Sequence, residues 1–188
     1  FTNLYTIEIS GAETICNDVF MGCKALNRFV VNEANPTLKA IDGVLFNDGG
    51  AKLQRFPAAK KPAGTTVYEV PDGTESIGGY AFNKAKNITD VKIPASVTEV
   101  GNGAFCCDNI KGIHFEDGSA YDFSRYTCYC SNYGFSSTCA EKFCLEDIES
   151  AEASCSVDGH TEGIRCDITG EWLSGEVIPA TENHSFTE

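Results

Sequence analysis

The apolar residues of this chain repeat with a fixed period between residues 70 and 115. Three dipeptides each recur 23 positions further on: Val70-Pro71 as Ile93-Pro94, Ile77-Gly78 as Val100-Gly101, and Ala81-Phe82 as Ala104-Phe105. A period in the twenties indicates a solenoid, in which each unit buries its apolar face only by stacking on its neighbours. We therefore look for function on a surface first and in a pocket second.

A short strand is predicted inside each repeat unit. Residues 88–93 and 110–115 follow the pattern L-x-x-L-x-L, which places its apolar side chains inside the coil and the residues between them outside. The two strands are expected to lie side by side, with four apolar residues facing the interior: Ile88, Val91, Ile110 and Ile113. Four others would anchor the opposite wall: Ile77, Phe82, Val100 and Phe105.

Weaker copies of the unit precede residue 70. Residues 15–20 align with the opposite-wall segment of the later units, residues 26–31 supply the matching strand, and residues 4–9 supply the strand of an earlier unit. Cys16 replaces the glycine of the later copies, and Cys23 stands where they have alanine. Both fit buried apolar thiols, because a free cysteine packs like a small hydrophobic residue.

An insertion separates the early copies from the later ones. Apolar runs at 41–46 and 52–57 flank an Asp-Gly-Gly turn, which predicts a β-hairpin. The second arm keeps the strand spacing of the repeat. We therefore expect it to serve as a solenoid strand, with the first arm folded out.

The repeat stops after Phe115. A last strand is predicted near 126–130, and Thr138 with Glu141 forms a capping-box signature that predicts a helix over 139–149. This strand and helix would form a cap, at about 121–150, over the exposed end of the sheet. Residues 151–188 are expected to form a separate small module.

The repeat resembles a known family. The motif I-P-x-x-[VT]-x-x-[IV]-G-x-x-A-F, followed by L-x-x-V-x-I, is similar to the BspA-like class of leucine-rich repeats over roughly residues 4–150. The resemblance implies a mainly β protein with short helices. Its repeat domain, over 1–150, would be a right-handed solenoid of short parallel strands with a hairpin insertion at 41–57. The family is common in bacterial surface and secreted proteins and is associated with adhesion to host proteins or other cells.

The tail resembles short cysteine-containing β repeats found near the ends of large secreted bacterial proteins. Those repeats usually show Cys-x-x-Cys-Gly and then Gly-His, whereas this chain has Cys166-Asp167-Ile168-Thr169-Gly170 and Asn183-His184. The second cysteine and the following glycine are lost. This departure argues against a metal site in the tail, which is kept only as an alternative, and no metal ligand is assigned.

Ten cysteines in 188 residues indicate an oxidising compartment and hence secretion. Structural zinc favours cysteine pairs two to four residues apart, and only Cys128 and Cys130 are close, with one residue between them. Disulfides, zinc, and a mixture with free thiols stay open; disulfides are favoured, with Cys155 to Cys166 as the favoured single bridge. The disulfide candidates are Cys128, Cys130, Cys139, Cys144, Cys155 and Cys166.

The net charge of −13 is concentrated in the tail. Residues 1–115 hold 11 Lys or Arg and 12 Asp or Glu, whereas residues 116–188 hold 3 and 15. This distribution argues against nucleic acid as a partner, because phosphates require clustered Lys and Arg. No apolar run is long enough to span a membrane, and the pattern opens within a repeat, so we expect a fragment without its leader and upstream repeats.

No motif for catalysis or for a cofactor is present. The three histidines lie in no recognisable nucleophile motif, and the glycine pairs at 49–50 and 78–79 are explained as turns rather than phosphate loops. We therefore predict a protein that is not an enzyme and carries no cofactor.

The leading hypothesis is a non-catalytic extracellular or cell-surface binding module. About six strands would form one wall of the solenoid, and the outward positions, Val30 among them, would contact a protein or a glycan on host or neighbouring cells. Two alternatives are repeats that act as a structural spacer in a larger secreted protein, and a metal-binding tail on a repeat scaffold. The candidate binding residues are Tyr5, Arg28, Gln54, Arg55, Glu69, Asp90, Lys92, Lys111 and His114.

Overall fold

The protein is mainly β and forms a β-solenoid of about five turns. The computed structural model describes residues 3–16, 19–116, 145–154, 157–166 and 172–180. The single helical element among these residues is a three-residue 3-10 turn, Asp48–Gly50. The strands in chain order are β1 (Thr6–Ile9), β2 (Arg28–Val31), β3 (Lys39–Ile41), β4 (Val44–Asn47), β5 (Lys52–Arg55), β6 (Val67–Glu69), β7 (Ser76–Ile77), β8 (Asp90–Ile93), β9 (Glu99–Val100), β10 (Gly112–Phe115), β11 (Leu145–Ile148), β12 (Gly159–His160), β13 (Gly163–Cys166), β14 (Trp172–Ser174) and β15 (Val177–Ile178).

One wall of the coils, called here the front wall, consists of β1, β2, β6, β8 and β10. β8 pairs in parallel with β6 on one side and with β10 on the other, so successive repeats lie side by side as the period predicts. β1 and β2 form a second parallel pair. The four residues predicted to face the interior, Ile88, Val91, Ile110 and Ile113, are all at most 1% exposed, which confirms the predicted strand register.

The opposite wall, called here the back wall, contains β5, β7 and β9. These strands are parallel, with Leu53 opposite Ile77 and Ile77 opposite Val100. Behind them the rings of Phe56, Phe82 and Phe105 stack on one another, with centroids 5.5 Å apart at both steps. All three rings are fully buried, so each coil adds one phenylalanine to a continuous apolar column.

The glycine that follows each back-wall strand is required by the close approach of the coils. A Cβ on Gly101 would collide with the backbone of Gly78 and Gly79, and a Cβ on Gly78 would lie 3.1 Å from the Leu53 carbonyl oxygen. Any side chain there would push neighbouring coils apart. This spacing explains the repeated Ile-Gly and Val-Gly pairs of the sequence.

The inserted hairpin divides the interior into two apolar clusters. β4 pairs antiparallel with both β3 and β5, and its residues are buried on both faces. Since side chains alternate along a strand, Val44 and Phe46 pack with the later coils, while Leu45 packs with Leu26 and Phe29 of the first coil. β4 therefore acts as a partition between the two clusters.

The hairpin lies in a different wall from the one the sequence suggested. The predicted hairpin exists, but its second arm, β5, belongs to the back wall, and the first arm is buried instead of folded out. The turn at Asp42 and Gly43 lies against the front wall, where the Phe29 amide donates to the Gly43 carbonyl at 2.8 Å. The expected single sheet of about six strands is therefore wrong: within the described residues the front wall holds five strands in two sheets.

The C-terminal residues form further antiparallel strands. β13 lies between β11 and β14, and β12 pairs with β15. Ile164 of β13 packs against the core of the later coils. The helix predicted over 139–149 is wrong at 145–148, which form β11. Residues 126–130 and the capping box lie outside the described residues, and the division of the chain at residue 150 stays a prediction.

We expect the substitution Phe82→Ala to lower the free energy of unfolding by about 3–5 kcal/mol, because it removes the middle ring of the stacked column and leaves a cavity. Urea unfolding followed by circular dichroism measures the change. The matched control is Val30→Ala, which truncates a side chain that is 41% exposed and should cost about 0.5 kcal/mol or less. Equal losses in the two variants would contradict the stacking model.

We expect Tyr68 to make the protein less stable at alkaline pH. Burial, with a smaller contribution from Asp42, raises the pKa of Tyr68 above that of a free phenol. The unfolded chain then loses this proton at a pH where the folded protein keeps it, so the contribution of Tyr68 to stability falls above about pH 10 by about 1.4 kcal/mol per pH unit. Between pH 8 and pH 11, urea unfolding should show a less favourable change in stability for the wild type than for Tyr68→Phe; identical changes would refute the assignment.

Candidate binding surface

The outer side of the front wall, called here the front face, carries six of the nine predicted binding residues. Along each strand the interior residues alternate with residues that point outward, which brings side chains of successive coils into rows. Arg28, Glu69, Lys92 and Lys111 are exposed, and Asp90 is partly exposed. Tyr5 is 61% exposed and precedes β1 directly.

The upper part of the front face joins an aromatic, an aliphatic and a cationic side chain. Thr6 is paired in register with Arg28, and Glu8 with Val30. The Arg28 Nε donates to the Thr6 hydroxyl at 3.3 Å, and the Asn27 amide donates to the Tyr5 carbonyl at 2.8 Å. Tyr5, directly before β1, therefore lies beside the start of β2, the strand that carries Arg28 and Val30.

Leu4 adjoins this group and was misassigned by the sequence pattern. Its spacing to Ile7 predicts an interior position, but Leu4 is 37% exposed and lies before the first residue of β1. The signal that would have identified Leu4 is its place at the start of the pattern, before the first residue of β1 that pairs with β2.

The lower part of the front face is polar. The Lys92 Nζ lies 3.3 Å from the Glu69 Oε1 across the neighbouring strands β6 and β8. Both side chains are about half exposed or more, so this ion pair contributes little to stability. With Asp72 and Glu116, these two residues line a cavity of about 390 Å³.

Gln54 and Arg55 were predicted to face outward, and this prediction is wrong. They are 4% and 2% exposed, because β5 lies inside the back wall between β4 and β7. The Gln54 Nε2 donates to the Ile15 carbonyl at 3.1 Å. Arg55 donates to the carbonyls of Tyr80 at 2.5 Å, Phe20 at 3.3 Å and Asn83 at 3.3 Å, so it joins the first coil to a later one.

Backbone carbonyl groups surround the Arg55 guanidinium. Burial lowers the pKa of Arg55 to about 10, and the nearby Cys23 acts weakly in the opposite direction. The guanidinium has a planar set of N–H donors that can reach several carbonyls at once, which a lysine ammonium cannot reproduce. Arg55 is therefore a structural residue and leaves the list of binding candidates.

His114 is also buried, contrary to prediction. All four residues of β10 are buried, and His114 itself is 5% exposed. Its Nε2 lies 3.1 Å from the Asp90 Oδ1. A Cβ on Gly112 would collide with the Asp90 carboxylate and lie 2.7 Å from the His114 Nε2, so the glycine leaves room for the His–Asp contact.

The polar network around His114 does not resemble a nucleophile and its base. The Thr89 hydroxyl lies 2.6 Å from the Asp90 Oδ2 and 2.9 Å from the Thr66 hydroxyl. A catalytic hydroxyl would have to contact the imidazole, with the carboxylate behind it. Here the hydroxyl contacts the carboxylate instead, so this network holds β6, β8 and β10 together.

The described cysteines are mostly buried. Cys23 is a buried free thiol and Cys16 is an exposed free thiol. Cys107 is buried, with its Sγ 2.6 Å from the Ala85 carbonyl oxygen, and Cys106 is disulfide-bonded. Cys23 thus has the burial that its alignment with Ala85 predicts, whereas Cys16 does not. Among the disulfide candidates, Cys166 belongs to β13, and the others lie outside the described residues: Cys128, Cys130, Cys139, Cys144 and Cys155.

The described part of the chain has neither a metal-binding cluster nor a membrane-spanning helix. No group of three or more His, Cys, Asp or Glu side chains in that part could hold a metal ion. Likewise, none of the helices described has the length and apolar character to cross a membrane.

A protein-family model matches the repeat region of this chain. Residues 58–150 match the model described as "BspA type Leucine rich repeat region", with six copies. This range contains the front-wall strands β6, β8 and β10 and the stacked coils behind them. Comparison with curated proteins gives no match.

Solved structures with a similar fold are leucine-rich repeat proteins. A leucine rich cell surface protein from Faecalibacterium prausnitzii A2-165 matches 60% of this chain at 29% identity, with a TM-score of 0.53. The pneumococcal vaccine antigen PcpA matches 62% of the chain at 20% identity, with a TM-score of 0.51, and shows the fold alone. The matches span 30% and 28% of the length of those two proteins.

We expect Arg55→Ala to lower the free energy of unfolding by about 3 kcal/mol, because it leaves buried carbonyls unpaired and opens a cavity. Arg55→Lys should cost about 1–2 kcal/mol, since one ammonium nitrogen cannot occupy the positions of the two guanidinium nitrogens that make these bonds. Chemical unfolding at pH 7 measures both. Lys92→Ala is the control, because its side chain is 47% exposed and should change stability by about 0.5 kcal/mol or less. A fully stable Arg55→Ala protein would show that the buried bonds contribute nothing.

Proposed function

We propose, because the chain belongs to the BspA type of leucine-rich repeat proteins, that it is a non-catalytic extracellular binding module. The front face would contact a protein or a glycan on a neighbouring or host cell. Membership of this family and the cell-surface description of a similar structure support a repeat-based binding or structural role. Adhesion and the identity of the partner belong to the proposal.

The observation that carries the proposal is the exposed group formed by Tyr5, Arg28 and Val30. Tyrosine and arginine are enriched among the residues that dominate binding energy at protein interfaces, and they act best beside exposed apolar surface. Tyr5 is 61% exposed directly before β1, and Val30 is 41% exposed on the neighbouring strand β2. The rigid stack of coils beneath holds these side chains in place before a partner arrives, which limits the entropy lost on binding.

The polar lower part of the front face supports specific contact. Asp90 and Lys92 alternate with buried Val91 on β8, and Glu69 and Lys111 lie on or beside the neighbouring strands. Rim charges of both signs favour selection among partners and faster encounter more than raw affinity. We therefore assign affinity to the upper group and selectivity to the lower residues.

The surroundings of Asp90 and His114 favour binding over catalysis. His114 is buried, and the hydroxyl nearest to Asp90 contacts the carboxylate rather than the imidazole. The ten cysteines agree with an oxidising location outside the cell. Family membership and the cell-surface name of a similar structure point to the same location.

A structural spacer is the second candidate. The two similar structures are more than three times as long as the segment that matches this chain. The coils also have filled cores, which makes them suitable as rigid extensions. As a spacer, the chain would tolerate substitutions on the front face without loss of activity in the whole protein.

We expect the double substitution Tyr5→Ser/Arg28→Glu to weaken binding at least about tenfold, because it removes two interface anchors and reverses a charge. Purified protein is first applied to a mammalian glycan array and to immobilised fibronectin, fibrinogen and collagen. The affinity for each positive ligand is then measured by biolayer interferometry for the wild type and the variants.

The matched control is Lys52→Glu, which reverses a charge on the back wall. It should leave the affinity within about twofold. If the wild type binds none of the probes, or if both variants bind like the wild type, the front face is not the binding surface and the spacer function is favoured.

A further inference from the structure

Lysines gather along one edge of the solenoid, away from the front face. Lys24, Lys84 and Lys86 line a single cavity of about 250 Å³, together with Cys107, Asp108 and Asn109. All three lysines are exposed. The chain as a whole carries a net charge of −13, so a site with three cations and one carboxylate differs strongly from its surroundings.

Stacking of the coils brings these lysines together. The Ala59 amide donates to the Leu26 carbonyl at 2.7 Å, and the Lys86 amide donates to the Ala58 carbonyl at 3.0 Å. The Asn109 Nδ2 then donates to the Lys86 carbonyl at 2.9 Å. The corresponding segments of four successive coils therefore lie next to one another at this edge. Neighbouring segments are about 4.8 Å apart, the distance that separates paired strands.

The coil between Lys24 and Lys86 adds a further cation. Lys61 is exposed and follows the segment that joins these two coils. Lys60 differs, because its Nζ is paired with the Asp42 Oδ2 at 2.9 Å and its side chain is only 11% exposed. We call Lys24, Lys61, Lys84 and Lys86 the lysine edge.

The composition of the cavity narrows the class of ligand. Among the described residues, the lining contains no aromatic side chain, whereas proteins that bind single-stranded nucleic acid stack bases on aromatic rings. The described lining also has no arginine and no large apolar side chain, the residue types that dominate interfaces with proteins. Compact ammonium charges on two coils instead complement a flexible polymer that carries several anions.

We infer that the lysine edge binds a sulfated polysaccharide. Sulfate esters stay ionised at every pH at which lysine is charged, and a sulfated sugar chain presents an anion on each residue or disaccharide. The polymer would lie across successive coils, with sulfates beside Lys24, Lys84 and Lys86 and hydroxyls near the Asn109 amide. The site is separate from the front face and does not depend on the function proposed above.

We expect the triple substitution Lys24→Gln/Lys84→Gln/Lys86→Gln to weaken binding to heparin about tenfold or more in 0.15 M NaCl. The plot of log affinity against log salt should also become less steep by about two to three charges, because fewer counterions are released. Isothermal titration calorimetry from 0.05 to 0.3 M NaCl measures both. Circular dichroism and urea unfolding confirm that the variant folds like the wild type.

A matched pair of double variants serves as the control. Lys24→Gln/Lys86→Gln should weaken binding to heparin, whereas Lys39→Gln/Lys52→Gln removes the same charge elsewhere and should bind heparin within about twofold of the wild type. Unsulfated dextran should not bind. The inference is wrong if the wild type does not bind heparin, if the two double variants lose affinity equally, or if single-stranded DNA binds as tightly as heparin. It is also wrong if the lysine variant changes only self-association, measured by sedimentation. None of these results bears on the Tyr5→Ser/Arg28→Glu test, so the two proposals fail separately.

Discussion

The structure depends on the contact between one coil and the next. A coil of about 23 residues is too short to enclose a core alone, so it buries its apolar side chains against its neighbours. Parallel pairing in both walls and the stacked rings of Phe56, Phe82 and Phe105 supply this contact. The glycines at 78 and 101 set how close the coils can come. This spacing aligns equivalent residues of successive coils in rows, and such rows form the front face and the lysine edge.

Two such rows carry the proposed interactions. The front face combines exposed aromatic and aliphatic side chains with Arg28, while the lysine edge contains charges without an apolar anchor. The chemistry differs because the front wall is a pleated sheet, in which buried and outward residues alternate. The edge is formed by turns, where the sequence is free to place several lysines close together. One solenoid can therefore present two kinds of surface without any change in its core.

The regular part of the fold could be predicted from the sequence, and the irregular part could not. The interior positions of Ile88, Val91, Ile110 and Ile113 follow from a period that repeats, and burial confirms them. The outward positions predicted for Gln54 and Arg55 were wrong, because the spacing of apolar residues in their strand fits either wall. Only the turn at Asp42 and Gly43, which lies against the front wall, decides between the two. The outward position predicted for His114 was wrong, because the alternation of side chains describes a single strand. The burial of His114 also depends on the residues that cover the outer side of β10.

The buried strand β4 has a consequence for how the protein comes apart. Its two faces belong to different apolar clusters, so the first coil and the later coils do not share one continuous interior. Cooperativity in stacked-repeat proteins is carried by nearest-neighbour contacts. Here those contacts include β4, the side-chain bonds of Gln54 and Arg55, and the backbone bond from Ala59 to Leu26. Local unfolding that starts at the first coil therefore stops at β4, because the later coils keep a buried apolar cluster of their own beyond this strand.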